Sequence, residues 1–207
     1  MSITVEQGRE LVAEFCRIYP AAYRLKYKVR AMQEEIFGKG ATVEERGRIF
    51  GAYFPTKQLI ALFTSNAPNA QHFTETIRHE VLGHFGINTL NPSEKRALIS
   101  AIAETRGQPD ISELWSNVDK DHPKLSESFK AEEIFCFACE SIEPNETISS
   151  LRAEHVFQQV VLAHSRFMRR HDLSAIAISV ANDLKNRTRL QQTFPATDQD
   201  QWSRESN

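Results

Sequence analysis

Cysteine is scarce in this sequence, and long apolar runs are missing from it. Three cysteines occur among 207 residues, and an odd number argues against a disulfide framework. Cys136 and Cys139 form one Cys-x-x-Cys pair with no second pair to complete a zinc ribbon, so we expect small buried helix residues there. No stretch approaches the roughly 18 apolar residues of a membrane span, and the N-terminus lacks the pattern of a secretion signal. These absences predict a cytoplasmic protein.

The sequence also lacks a strong excess of either charge. Its formal net charge is −2, with 41% hydrophobic and 25% charged residues, which is ordinary for a soluble globular protein. Without an overall basic field, the composition does not indicate a nucleic-acid partner. The length fits one domain, or one domain with an appendage.

Basic side chains alternate with aromatic and apolar ones between residues 21 and 37. The basic residues are Arg24, Lys26, Lys28 and Arg30, and the others are Tyr23, Tyr27, Val29 and Met32. Such a stripe can contact phosphate, but a solvated face beside a core face is the commoner arrangement. We therefore expect a helix here that packs on the core and ends at Gly38.

Metal-binding chemistry is concentrated in segment 79–84, which reads His-Glu-Val-Leu-Gly-His. In the commonest zinc-peptidase signature the two histidines are four residues apart, and the glutamate between them is the general base. Here His79 and His84 are five apart, which rotates the second side chain by roughly 140° on a regular helix. They can hold one metal only if the helix contains a π-bulge, which Gly83 would ease. The alternative is two histidines on a half-buried helix without metal.

A third metal ligand is expected on a second helix, because hydrolytic zinc takes three protein ligands and one water. Segment 126–140 predicts such a helix, with Glu133, Cys136 and Glu140 on one face. Apolar neighbours indicate that both carboxylates are partly buried, and a buried carboxylate needs a partner such as a metal or a metal-bound histidine. Glu132 competes with Glu133 for this role, and a surface Glu-Glu pair is the alternative.

The motif at 79–84 is similar to the His-Glu-Leu-Leu-Gly-His motif of the dipeptidyl-peptidase III family. It resembles more closely the His-Glu-x-x-Gly-His-x-Gly helix of zincin-like domains in phage and plasmid polyvalent proteins. That family implies a Gly-x-Tyr hairpin before the helix and a glutamate helix after it, and the resemblance covers roughly residues 48–142. It implies Glu133 as the third zinc ligand and Glu140 as the hydrogen-bond partner of a ligating histidine.

These features together predict a zinc-dependent metallopeptidase encoded on a mobile element. Zn²⁺ held by His79, His84 and Glu133 would activate a water, and Glu80 would accept its proton as the water attacks a protein or peptide amide. Nothing in the sequence identifies the residue that stabilises the oxyanion. The alternative is a non-catalytic zincin-fold binding protein that serves as an inhibitor or interaction module, for example in anti-restriction.

The expected architecture is α+β, with a mainly helical zincin-like body and a small β-hairpin before the metal-binding helix. The hairpin strands are predicted at 48–54 and 58–63. The predicted units are N-terminal helices at 1–47, a metal-binding core at 48–142, C-terminal helices at 143–190 and a disordered tail at 191–207.

Overall fold

A computed structural model describes residues 3–188; the tail predicted at 191–207 lies outside the described residues. The α-helices are α1 (Val5–Ile18), α2 (Glu34–Phe37), α3 (Val43–Arg46), α4 (Ala70–Arg78), α5 (Pro92–Ala103), α6 (Ser112–Asp121), α7 (Glu127–Glu140), α8 (Ser150–Val156) and α9 (Arg170–Asn186). The strands are β1 (Lys26–Arg30), β2 (Gly51–Phe54) and β3 (Leu59–Phe63). The chain is thus mainly helical with one small sheet, which confirms the α+β class.

The three strands form a mixed sheet in the order β1-β3-β2. β2 and β3 are antiparallel, with Ala52 opposite Ala61, and this confirms the predicted hairpin. β1 runs parallel to β3, with Lys28 beside Ala61. The order leaves β1 at one edge of the sheet and β2 at the other.

Strand β1 corrects the helix that we expected between residues 21 and 37. Val29 is buried, whereas Lys26 and Lys28 on either side of Tyr27 are exposed. This is the period of two that a strand with one buried face requires. The regular alternation of basic and apolar residues was therefore a strand signal. The expectation of a solvated face beside a core face is confirmed.

A buried glutamine fastens the connection between β1 and β2. The Gln33 side-chain amide donates to the carbonyl oxygens of Ala41, at 2.7 Å, and Gly47, at 3.0 Å. Its Oε1 accepts from the backbone N–H of Ile49 and from the Asn66 side chain. Two of the four bonds are buried and two are partly buried, and unpaired polar groups are costly there, so this loop is held against the sheet.

The histidine segment is a π-helix over His79–Phe85 that continues directly from α4. The N–H of Gly86 donates to the carbonyl oxygen of Val81, five residues back. Residues five apart therefore lie above one another, where a regular α-helix would separate them. The prediction of a π-distortion in this motif is confirmed.

Helix α7 crosses the π-helix at the glycine of the motif. A Cβ atom on Gly83 would lie 2.6 Å from the Cys136 Sγ and 2.8 Å from the Cys136 Cα. Such distances leave no room for any side chain between the two helices. Gly83 therefore lets α7 approach, and the expectation that it also eases the π-bulge stays a prediction.

The C-terminal part is helical but more broken than expected. In the region 143–190, where C-terminal helices were predicted, α8 passes into a second π-helix at Phe157–Leu162 and α9 begins only at Arg170. Asp172, which accepts from the Arg169 N–H and pairs with Arg166, fixes the start of α9. α9 packs against the π-helix of the histidine segment, where Val180 lies beside Gly86.

Buried side chains from α1, the sheet, α4 to α7 and α9 form one continuous hydrophobic cluster. The predicted boundaries at residues 47, 142 and 190 stay predictions. Within residues 3–188, no helix is long and apolar enough to cross a membrane.

Replacing Gly83 with alanine should destabilise the protein by about 2 kcal/mol, because overpacking against backbone atoms outweighs the better helix propensity of alanine. Urea unfolding measures this change. Gly86→Ala is the matched control, since its Cβ would meet only a Val180 methyl closer than 3.5 Å. Equal or smaller destabilisation by Gly83→Ala would contradict the close-crossing interpretation.

Candidate metal centre

Two histidines from the π-helix and one glutamate from α7 converge at the helix crossing. His79 Nε2 lies 3.2 Å from Glu133 Oε2, and His84 Nε2 lies 3.5 Å from Glu133 Oε1. The centroids of the two imidazole rings are 5.1 Å apart. The Glu133 side chain is only 1% exposed, so its charge is shielded from water.

These separations suit three ligands of one zinc ion. Donor atoms about 2.0 to 2.1 Å from a tetrahedral zinc lie roughly 3.3 Å from one another. The two contacts between Glu133 and the imidazoles bracket that value, although they use different carboxylate oxygens. A small rotation of the carboxylate would give both rings a common partner.

A second carboxylate stands behind each imidazole. His79 Nδ1 lies 2.8 Å from Glu140 Oε1, and His84 Nδ1 lies 3.0 Å from Glu132 Oε1. A carboxylate accepts the proton on Nδ1, so the Nε2 lone pair of a neutral ring would be directed at a metal, whereas without metal a protonated Nε2–H of His79 donates to Glu133. Metal-bound histidines are held in this way in most proteins.

Lys95 contacts Glu132, the carboxylate that lies behind His84. Lys95 Nζ on α5 lies 2.9 Å from Glu132 Oε2 and donates to Asn88 Oδ1. Asn88 in turn donates to the backbone carbonyl of His84 at 2.8 Å. The charge of Glu132 is thus offset on the side away from the imidazole, and His84 is fixed through both its ring and its backbone.

Strand β2 lies directly over Glu80, the glutamate between the histidines. A Cβ atom on Gly51 would lie 2.9 Å from Glu80 Oε1 and 2.8 Å from a Thr76 methyl. Glu80 is 5% exposed, and its Oε2 is buried without a hydrogen bond to any described residue. Burial raises the pKa of this carboxyl, although both histidines act in the opposite direction.

The electrostatics of the cluster favour bound positive charge. Burial lowers the pKa of His79, but hydrogen bonds to Glu133 and Glu140 outweigh it, and the pKa is raised well above its ordinary value. The pKa of His84 is raised in the same way, by the Glu133 charge and the Glu132 hydrogen bond against burial. The negative charge of the carboxylates around the two imidazoles must be balanced by positive charge. Protons on the rings can supply it, and a bound metal cation would replace them.

The supporting carboxylates remain ionised. Burial raises the pKa of Glu132, but Lys95 and His84 lower it to about 2. Burial also acts against ionisation of Glu133, and the two histidines reverse the effect, so its pKa is lowered. Both groups are therefore charged at neutral pH, as a metal ligand and its support must be.

Cys136 is a second candidate for the third ligand position. One donor atom each from His79, His84 and Cys136 lie within 4.8 Å of one another. Burial and the neighbouring carboxylates raise the pKa of the Cys136 thiol well above its ordinary value, so the thiolate that would bind metal is disfavoured. Glu133 is ionised and lies 3.2 and 3.5 Å from the two Nε2 atoms, and we favour it over Cys136.

The predicted site residues therefore meet in one place. His79, His84 and Glu133 face each other, and Glu140 lies behind His79, in the positions expected from the sequence. Glu132 was expected to compete with Glu133, but it binds behind His84 instead. Their roles toward a metal stay predictions. Lys95 was missed, because no sequence pattern links a lysine on α5 to a glutamate on α7.

Comparison with known proteins gives one informative match. No family model and no solved structure matches the chain. A protein named DNA primase TraC, from Escherichia coli, is 35% identical over 208 residues. The match covers 94% of this chain but 14% of the relative, so the chain spans a small part of that protein.

This similarity overturns the functional predictions made from the motif. The zincin-like metallopeptidase assignment, with its resemblance to polyvalent proteins and dipeptidyl-peptidase III, gains no support, and the predicted hydrolase with a protein or peptide substrate is wrong. The alternative, a non-catalytic inhibitor with that fold, is likewise unsupported. The reason is that a His-Glu-x-x-x-His helix specifies a metal geometry and leaves the reaction open. The chain is similar, over nearly its whole length, to a segment of a DNA primase.

Proposed function

We propose that this chain is a zinc-binding domain that contacts DNA as part of a primase-related protein. The observation that carries the zinc assignment is the pair of imidazoles with Nε2 toward Glu133 and Nδ1 toward a carboxylate. The DNA assignment rests on the name of the relative, DNA primase. A DNA partner would also place the chain in the cytoplasm.

The ligand set favours zinc over magnesium. Two imidazoles and one carboxylate are typical zinc ligands, whereas Mg²⁺ prefers oxygen ligands in octahedral geometry. Enzymes that join nucleotides use Mg²⁺ held by carboxylates and substrate phosphates. We therefore do not place primer synthesis at this centre, and we assign it a supporting part in the activity of a longer protein.

Bound zinc would supply a positive charge that joins the π-helix to α7. The chain's own residues would then have distinct tasks. His79, His84 and Glu133 would hold the ion, while Glu140 and Glu132 would orient the two imidazoles. Because the ligands come from two packed helices, ion binding would stabilise their crossing and hence the fold.

Local charge supports a DNA contact even though the whole chain is slightly acidic. Residues 20–57 contain eight lysines and arginines against four glutamates. The remainder of the chain is correspondingly acidic, and the two parts give the net charge of −2. DNA is attracted by the charge that faces it, so a basic region is compatible with an acidic total.

Purified protein should contain about one zinc per chain, and His84→Ala and Glu133→Ala should each lose it, because each removes one of three ligands. Elemental analysis of protein made without a metal-binding tag measures the content. His155→Ala, which removes an exposed histidine on α8, is the control and should keep its zinc. A folded wild type without metal would remove the zinc assignment.

Cys136→Ala should retain the zinc if Glu133 is the third ligand. The change makes the side chain smaller, so the crossing at Gly83 is not obstructed. Zinc content and affinity, from competition with a chelator, should then match the wild type within a few-fold. Loss of zinc in Cys136→Ala, together with retention in Glu133→Ala, would assign the position to the thiolate.

The zinc-loaded chain should bind a fluorescent single-stranded oligonucleotide, with an affinity that falls as salt increases. Fluorescence anisotropy at low and physiological salt measures both quantities. Bovine albumin, which is also acidic, sets the non-specific background. Binding no tighter than that background at low salt would remove the DNA assignment.

A further inference from the structure

We infer that single-stranded DNA lies along the outer edge of β1, with its phosphates against the basic side chains of that strand. This inference rests on the proposed DNA contact and adds the surface that makes it. β1 is an edge strand, since β3 alone among the described strands pairs with it. Lys26 and Lys28 are exposed, so their side chains can be reached by a partner at this edge of the sheet.

Basic residues occupy every second position along this edge. Arg24 precedes the strand, and Lys26, Lys28 and Arg30 follow at steps of two, so the side chains of the strand residues share one face. Arg24, Lys26 and Lys28 are exposed and form no ion pair with any carboxylate whose side chain the structure describes, a set that leaves out Glu45. Arg30 is partly engaged, 3.7 Å from Glu35.

The spacing of these charges suits an extended strand of nucleic acid. Alternate residues of a β-strand are about 6.6 Å apart. Successive phosphates of an extended single strand are separated by a similar distance, whereas the phosphates of a duplex strand follow a curved path. A short row of lysines can therefore follow consecutive phosphates of a single strand.

Exposed apolar side chains lie at both ends of the row. Tyr23 is 60% exposed before β1, and Met32 is 53% exposed after it. Bases of a single strand stack on aromatic rings placed beside a basic groove, without regard to sequence. Tyr23 offers such a ring next to Arg24, so the edge combines phosphate attraction with a stacking surface.

Lysines on edge strands have another known role, which is to prevent two sheets from pairing edge to edge. Charge of either sign can do this. At the β1 edge, however, four successive alternate positions are all basic, and the region 20–57 has a net positive charge while the rest of the chain is acidic. Uniform sign is what a polyanion requires, and it is not needed to prevent pairing.

The double variant Lys26→Glu/Lys28→Glu separates these roles, because it keeps charge at the edge but reverses its sign. The variant should keep the wild type's oligomeric state and zinc content, but it should bind an oligothymidylate at least tenfold more weakly. The slope of log affinity against log salt should fall by about 1.4, roughly 0.7 for each lost phosphate contact. Tyr23→Ala should weaken binding about fivefold or more, with the slope unchanged.

The matched control is Lys120→Glu/Lys124→Glu, which makes the same charge change at exposed positions on α6 and in the loop after it. It should reduce affinity much less than the β1 variant. If wild type binds DNA and both double variants lose affinity equally, the β1 surface is wrong while the DNA function stands. If the wild type does not bind, the proposed function itself fails.

Competition identifies the partner class. Unlabelled oligothymidylate should displace the probe, and a polyglutamate peptide of equal charge should need a concentration at least fivefold higher, since it offers no bases to Tyr23. Displacement by both at equal charge concentration would overturn the assignment to nucleic acid and indicate an acidic protein.

Discussion

The burial of the Glu133 carboxylate is the constraint on which the rest of the centre depends. A carboxylate that is 1% exposed cannot stay ionised unless positive charge faces it. Both imidazoles face it, and each of them has its own carboxylate behind it. Lys95 then balances Glu132 from the outside. The charges therefore alternate outward from Glu133, and removal of any one takes a partner from a neighbouring charge.

The helix geometry makes this arrangement possible. A regular helix would point His79 and His84 in different directions, and the π-helix brings them to one side. Gly83 then allows α7 to approach until Glu133 reaches both rings. The distortion and the close crossing act together, because either alone would leave the carboxylate outside the reach of one histidine.

Much of the architecture could be predicted because its signals are local. Thr4 caps α1 and Asn91 caps α5 with capping boxes, which are patterns of four consecutive residues. The β2–β3 hairpin followed from its period and its proline turn. β1 was missed although its alternation is equally local, since Leu25, Tyr27 and Val29 recur at steps of two, which fits a strand and does not fit one face of a helix.

In the candidate site, too, some residues could be predicted from local sequence patterns and others could not. The histidine spacing and the face of α7 are properties of single helices, so His79, His84, Glu133 and Glu140 could be found from sequence. The roles of Glu132 and Lys95 depend on which helix packs behind His84, and no local pattern contains that information.

The reaction could not be predicted from the sequence for a different reason, which is that one metal geometry serves many proteins. Net charge was misleading because it averages over the chain. A polyanion responds to the potential within about 10 Å of its phosphates at 0.1 M salt, so distant acidic residues are screened. A row of four basic residues at one sheet edge therefore acts largely by itself, and a total of −2 neither indicates nor excludes it.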